Sequence, residues 1–163
     1  MPNSKQSNAQ GEMQLIAEWL MTLPASYQTK THVNVGEQAL FYAGMPLTPA
    51  QSKAFGVWND WCDARVFTGA EVWIVEGKLV GLGGAYGQVL DYVNQYPASA
   101  DYVQFKPATI VPVVLTMAER SRTAALFAGM GVRTIVFQPT FPLAQALLRL
   151  FPAAQVLGGT GAP

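Results

Sequence analysis

Cysteine and histidine are almost absent from these 163 residues, with Cys62 and His32 the sole representatives of each. A single cysteine excludes an intramolecular disulfide framework and any zinc site built on several thiolates. A single histidine excludes multi-histidine metal centres and weighs against a Ser-His-Asp triad. Charge is scarce as well: 12% of residues are Asp, Glu, Lys or Arg, and the ten of each sign cancel. A protein that grips duplex nucleic acid by its own field carries a basic surplus, because neutralising phosphates supplies most non-specific affinity. That surplus is missing. Arg120, Arg122, Arg133 and Arg149 offer at most a local patch, and Arg120 and Arg122 read more simply as a solvated helix face. Long hydrophobic runs are also lacking. The stretches 108–115 and 132–137 are too short to span a bilayer, and Met1-Pro2-Asn3-Ser4-Lys5-Gln6-Ser7 lacks the apolar core of a signal peptide. No membrane partner is expected.

What the chain does have is apolar content, at 50% of residues. A charge-poor, apolar chain must bury much of itself or present apolar surface to a partner. Homo-oligomerisation or docking into a larger assembly is therefore expected. The length suits one domain. Residues 1–11 read as a disordered tail, 12–152 as a single folded domain and 153–163 as a flexible, glycine-rich tail.

Within the domain, Leu15, Ile16, Trp19, Leu20 and Leu23 repeat at helical spacing over 12–23, and Pro24 marks the end. The alternation Thr31-His32-Val33-Asn34-Val35 predicts a strand, on which His32 reads as structural. Residues 44–62 read as a loop with a short helical insert. Its Trp and Phe residues (Phe55, Trp58, Trp61) offer rings on which unpaired bases could stack, and core packing or a protein interface explains them more simply. A helix entered through glycines is predicted over 83–93, then a strand at 108–115, a helix at 118–130, a strand at 132–137 and a short helix at 143–150. Helices alternating with strands after a hairpin predict an α/β fold: a three-layer αβα sandwich around a central mixed sheet. No internal repeat is present. Gly81-Leu82-Gly83-Gly84 lacks the G-K-[ST] ending of a phosphate loop and reads as a turn.

The chemistry concentrates in Asp63-Ala64-Arg65-Val66-Phe67-Thr68-Gly69-Ala70-Glu71-Val72-Trp73-Ile74-Val75-Glu76-Gly77-Lys78. Thr68-Gly69-Ala70-Glu71 is the natural turn, with Gly69 free to take positive φ. Folding about it pairs Phe67 with Val72, Arg65 with Ile74 and Asp63 with Glu76. Opposed residues share a face with Cβ atoms about 5 Å apart. Side chains alternate, so Lys78 joins Glu76 on that face. A slip of one residue would send the acids to opposite faces. Val72 to Val75 is the pattern of a strand covered on both sides, and charges at its end must be paired, solvated or bound to a metal. An ordinary ion pair of Lys78 with Glu76 or Asp63 is one reading. A Mg²⁺-dependent phosphodiesterase centre is the other. Cys62, beside Asp63, reads as a small packed apolar residue. On the next helix Gln88 and Tyr92 are four apart and share a face.

With these residues in place, the chain resembles the PD-(D/E)XK nuclease superfamily and its restriction-endonuclease-like core. Asp63 matches the first metal ligand, Glu76-Gly77-Lys78 the (D/E)-x-K, and Gln88-x-x-x-Tyr92 the helix motif of the RecB-like branch. Cys62 stands where the family's Pro would precede Asp63. The chain is also similar to small proteins of this fold encoded by tailed bacteriophages, including the later Phe137-Gln138-Pro139-Thr140-Phe141. The resemblance implies phosphodiester hydrolysis of DNA with Mg²⁺ (or Mn²⁺) held by Asp63, Glu76 and the Gly77 carbonyl. It implies that Lys78 orients the attacking water and stabilises charge, and that Gln88 and Tyr92 position a phosphate or that water. An acid from the first helix often lies near the metal in this fold, which makes Glu18 a candidate. Location in the bacterial host cytoplasm or in a virion follows from the same resemblance. Two alternatives stand beside it: a catalytically idle structural or assembly component of a phage particle, and an unrelated α/β domain whose E-x-K is coincidence.

Overall fold

A computed structural model describes residues 4–36, 41–42, 45–46, 48, 60–79, 83–118 and 121–150, and shows a mixed α/β protein. Helix α1 (Ser4–Leu20) leads into strand β1 (Gln28–Asn34). A small two-stranded ribbon follows, β2 (Phe41–Tyr42) and β3 (Met45–Pro46), and then β4 (Trp61–Phe67) and β5 (Glu71–Lys78). After α2 (Gly83–Gln95) and two short 3₁₀ turns come β6 (Thr109–Thr116), α3 (Ser121–Ala128), β7 (Arg133–Val136) and α4 (Pro142–Leu150). The five-stranded sheet has the order β1-β4-β5-β6-β7. Its first two pairings are antiparallel and its last two parallel, so β5 lies at the centre.

Alternating strand residues feed two separate cores. Ala64, Val66, Val75, Val113 and Leu115 pack with Leu15, Ile16 and Trp19 of α1 and with Ala144 and Leu148 of α4. Val33, Val72, Ile74 and Val114 pack with Ala85, Tyr86 and Val89 of α2, and Phe127 of α3 joins them by stacking on Tyr86. The apolar positions of α1 and α2 recur at three- and four-residue spacing, which gives each helix one buried face. Pro112, unusual inside a sheet, precedes the β6–β7 ladder, which begins at Val113↔Arg133. On that side its missing N–H costs no rung. Among the described residues no helix is long and apolar enough to cross a membrane.

Three sequence expectations need correction. The helix reaches back to Ser4, where a disordered tail to residue 11 was expected. Within the extension Gly11 is buried, and a Cβ there would lie 2.6 Å from Leu79 Cδ1, so the glycine lets α1 approach the residue that follows β5. The expected insert over 44–62 ends earlier, because Trp61 and Cys62 already belong to β4. Of its other aromatics, Phe55 and Trp58 lie outside the described residues, as do Arg120, Gly81, Leu82 and the 153–163 tail. Arg133 is not a free member of a basic patch. Its Nη1 and Nη2 donate to both Glu71 carboxylate oxygens at 3.1 and 3.2 Å, and its guanidinium lies 5.1 Å from the Trp73 ring centroid. These contacts sit at the start of β5, seven residues before Lys78.

Candidate active site

The hairpin forms as the turn chemistry predicts. Thr68 N–H donates to the Glu71 carbonyl at 3.0 Å, Glu71 N–H donates to Thr68 Oγ1 at 3.1 Å, and Gly69 takes φ +101°. The β4–β5 ladder pairs Phe67 with Val72, Val66 with Trp73, Arg65 with Ile74 and Ala64 with Val75. Extended by one residue, that register sets Asp63 beside Glu76. There the backbone ladder stops, while β5 stays paired to β6 as far as Lys78↔Thr116. In place of a further rung, Asp63 Oδ2 accepts the Gly77 N–H at 2.8 Å.

Asp63 also marks a break in β4. Cys62 and Ala64, two residues apart, would share a face in a regular strand, yet they belong to different cores. On the other flank β1 pairs Thr31 with Ala64 and Val33 with Cys62, so His32 stands opposite Asp63. His32 has φ +51°, a left-handed conformation. For a residue with a Cβ this costs about 1 kcal/mol or more. Both strands are thus irregular at the one level where the acid sits.

The electrostatics follow from burial. Glu76 is 4% exposed, and burial, then the Asp63 carboxylate, push it up to about 7. Asp63 is raised by burial, against the opposing Gly77 N–H and the charge of Lys78. Lys78 Nζ lies 3.2 Å from Glu76 Oε1 and 3.2 Å from Glu12 Oε2 of α1. Burial alone would lower Lys78, but the two glutamates outweigh it and the ammonium is held above its ordinary value. Two carboxylates therefore pair with one ammonium, and Asp63 is close enough to feel its charge. Burial, then the Asp63 charge, push the Cys62 thiol up to about 12, which leaves it an inert packing residue.

Asp63, Glu76, Gly77 and Lys78 are brought together. Tyr92 of α2 is near them: its hydroxyl is raised by burial and then by the charges of Glu76, Asp60 and Asp63. Gln88, one turn earlier, is exposed. Glu18 is not part of the group. Its carboxylate accepts the Thr140 N–H at 2.7 Å and the Thr140 hydroxyl at 3.1 Å, fastening α1 to the segment before α4. The α1 acid that reaches the site is Glu12. Helical spacing separates the two acids, since Glu18, six residues on, is turned about 120° away from Glu12, but which of them meets Lys78 is set by how α1 packs on β5. The contact at Gly77 is through its N–H. A Cβ at Gly77 would lie 3.0 Å from the Ile16 side chain, so the strand face opposite Glu76 is closed by α1.

Among the described residues no three His, Cys, Asp or Glu side chains form a ready metal cage. The donor set still suits a hard cation of the Mg²⁺ kind, which is commonly held by one or two carboxylates with waters and substrate oxygens filling the rest. The excess of buried negative charge around Lys78 is what a cation would compensate. Compared with models of known protein families the chain matches none, and no curated protein matches it.

Proposed function

We propose that the chain is a divalent-metal-dependent DNA nuclease of the PD-(D/E)XK type. The observation that carries this is the placement of Asp63 beside Glu76 and Gly77, with Lys78 bonded to Glu76, where the β4–β5 ladder opens. The two cores, one on α1 and α4 and the other on α2, support the three-layer αβα reading and its restriction-endonuclease-like core. In this reading Asp63 and Glu76 hold Mg²⁺ or Mn²⁺. Once bound, the ion supplies electrophilic stabilisation of the phosphate and a nucleophilic water. The Gly77 N–H fixes the Asp63 carboxylate. Lys78 stays charged at neutral pH and stabilises the negative charge that builds on the phosphate oxygens. The Tyr92 hydroxyl stays protonated and serves as a donor, and Gln88 offers an exposed amide to a substrate oxygen.

The test is cleavage of DNA by purified protein with Mg²⁺ or Mn²⁺. Wild type cuts, and Glu76→Ala and Lys78→Ala each abolish cutting. Activity that persists in both variants belongs to a contaminant and removes the proposal.

A second reading keeps the fold without turnover, as a structural component of a phage particle. The observation that favours it is an exposed stripe along α1 and into the turn after it: Ala9, Met13, Ala17 and Met21 recur every four residues, with Met13 72% and Met21 78% exposed. A stable high-order assembly, or co-purification with virions, supports this reading. A monomer at every concentration counts against it.

A further inference from the structure

Beside the acids lies a feature that the cleavage chemistry does not use. His32 and Trp61 are stacked, with ring centroids 4.5 Å apart and planes within 6°. Both are exposed, Trp61 to 36%. Trp61 precedes Asp63 by two residues on β4, and His32 stands opposite Asp63 on β1. The left-handed backbone of His32 is the only positive φ at a residue other than glycine among the described residues. Strained backbone of this kind collects at functional sites, where the surrounding structure holds it in place.

We propose that the His32–Trp61 pair is a stacking platform for an unpaired base of single-stranded DNA, next to the phosphate presented to Asp63 and Glu76. The proposal rests on the nuclease reading and names its substrate class. Zero net charge gives the protein little hold on a duplex through its phosphates. Base stacking on an aromatic side chain needs no net charge, tolerates any sequence and requires a base whose face is free. Paired bases inside a duplex present no such face. An exposed stacked pair, with His32 opposite the acid and Trp61 two residues before it, therefore fits single strands better than duplex.

The experiment has two arms. In the first, a short fluorescent oligothymidylate is titrated with wild type, Trp61→Ala and Trp61→Phe in Ca²⁺. In the second, Mn²⁺-dependent cleavage of single-stranded and duplex DNA of the same sequence is compared, with Glu76→Ala as control. Trp61→Ala weakens oligothymidylate binding about tenfold, and Trp61→Phe keeps most of it. The ratio of single-strand to duplex kcat/KM falls by a similar factor in Trp61→Ala. Binding equal to wild type in Trp61→Ala, or equal losses on single strand and duplex, overturns the platform. If wild type does not cut but Trp61→Ala still loses oligothymidylate binding, the platform stands and the nuclease reading falls.

Discussion

Asp63 Oδ2 accepts a hydrogen bond from the Gly77 backbone N–H at 2.8 Å, so a side chain takes the place of a rung just where two central strands part. The bond fixes the carboxylate against β5 and beside Glu76. It also makes the backbone at Gly77 part of the site, which leads to the first prediction.

Gly77→Ala is expected to destabilise the protein by about 1–2 kcal/mol, because the new methyl meets Ile16 Cδ1 and Cγ1 at 3.0 Å. Ile16→Val removes the Cδ1 atom and relieves part of that overlap. In a double-mutant cycle read by urea denaturation, the pair is expected to couple favourably by at least about 0.5 kcal/mol. Strict additivity would show that Ile16 is not what Gly77 accommodates.

The pH dependence follows chiefly from Glu76, with Asp63, also raised by burial, acting in the same direction. The Glu76 carboxyl is raised by burial and by Asp63 from 4.5 to about 7. Between those values the folded chain holds more proton than the unfolded chain, so stability of the metal-free protein falls as pH rises through that window. The loss from Glu76 is at most about 3 kcal/mol. Asp101 and Glu71 are lowered instead, so their contributions are lost only at more acidic pH, below the ordinary carboxylate values. The urea midpoint is expected to drop from about pH 5 to about pH 7.5, to flatten in Glu76→Gln, and to recover with Mn²⁺, whose binding releases protons. A Glu76→Gln profile identical to wild type would assign the slope to another group.

Glu12 and Glu18 have different jobs on one helix. On the proposed nuclease function, Glu12→Gln weakens a partner of Lys78 and is expected to lower Mn²⁺-dependent cleavage about tenfold or more. Glu18→Gln is expected to leave cleavage in place and to cost about 1 kcal/mol, through weakened bonds to Thr140. Cleavage rates and melting curves of the two variants separate the roles, and reversed effects would exchange them.

Asp101 holds a buried network away from the site. Its carboxylate accepts from Arg65 Nε at 3.0 Å, from the Tyr96 hydroxyl at 2.7 Å and from Lys30 Nζ at 3.3 Å. Arg65 is 5% exposed. Asp101→Ala leaves the buried Arg65 guanidinium only the Gln28 carbonyl, at 3.1 Å from Nη1, and the Phe105 ring, and is expected to cost about 3 kcal/mol. A loss under about 1 kcal/mol in thermal or urea unfolding would mean that Arg65 finds water or another acceptor.

Much of the candidate site was legible because its signals are local. The turn at Gly69 set the hairpin register, the apolar run marked β5 as central, and alternation placed Lys78 with Glu76. Other features were not legible for identifiable reasons. Residues 4–11 carry no apolar stripe, so periodicity could not show that the helix starts at Ser4. The break in β4 at Asp63 coincides with the left-handed backbone of His32 on β1, a pairing that no local pattern announces. Arg133 looked available until Glu71 and Trp73 claimed it.

By itself the sequence determined the α/β character, the hairpin register and the set Asp63, Glu76 and Lys78, because turn chemistry and side-chain period act between near neighbours. Tertiary structure alone decided that Glu12, and not Glu18, reaches Lys78 across 66 residues of chain. It also decided that His32 and Trp61 stack beside the acid. Those outcomes depend on which face of α1 lies against β5 and on how β1 pairs with β4, and both are set by packing the two cores rather than by any local pattern.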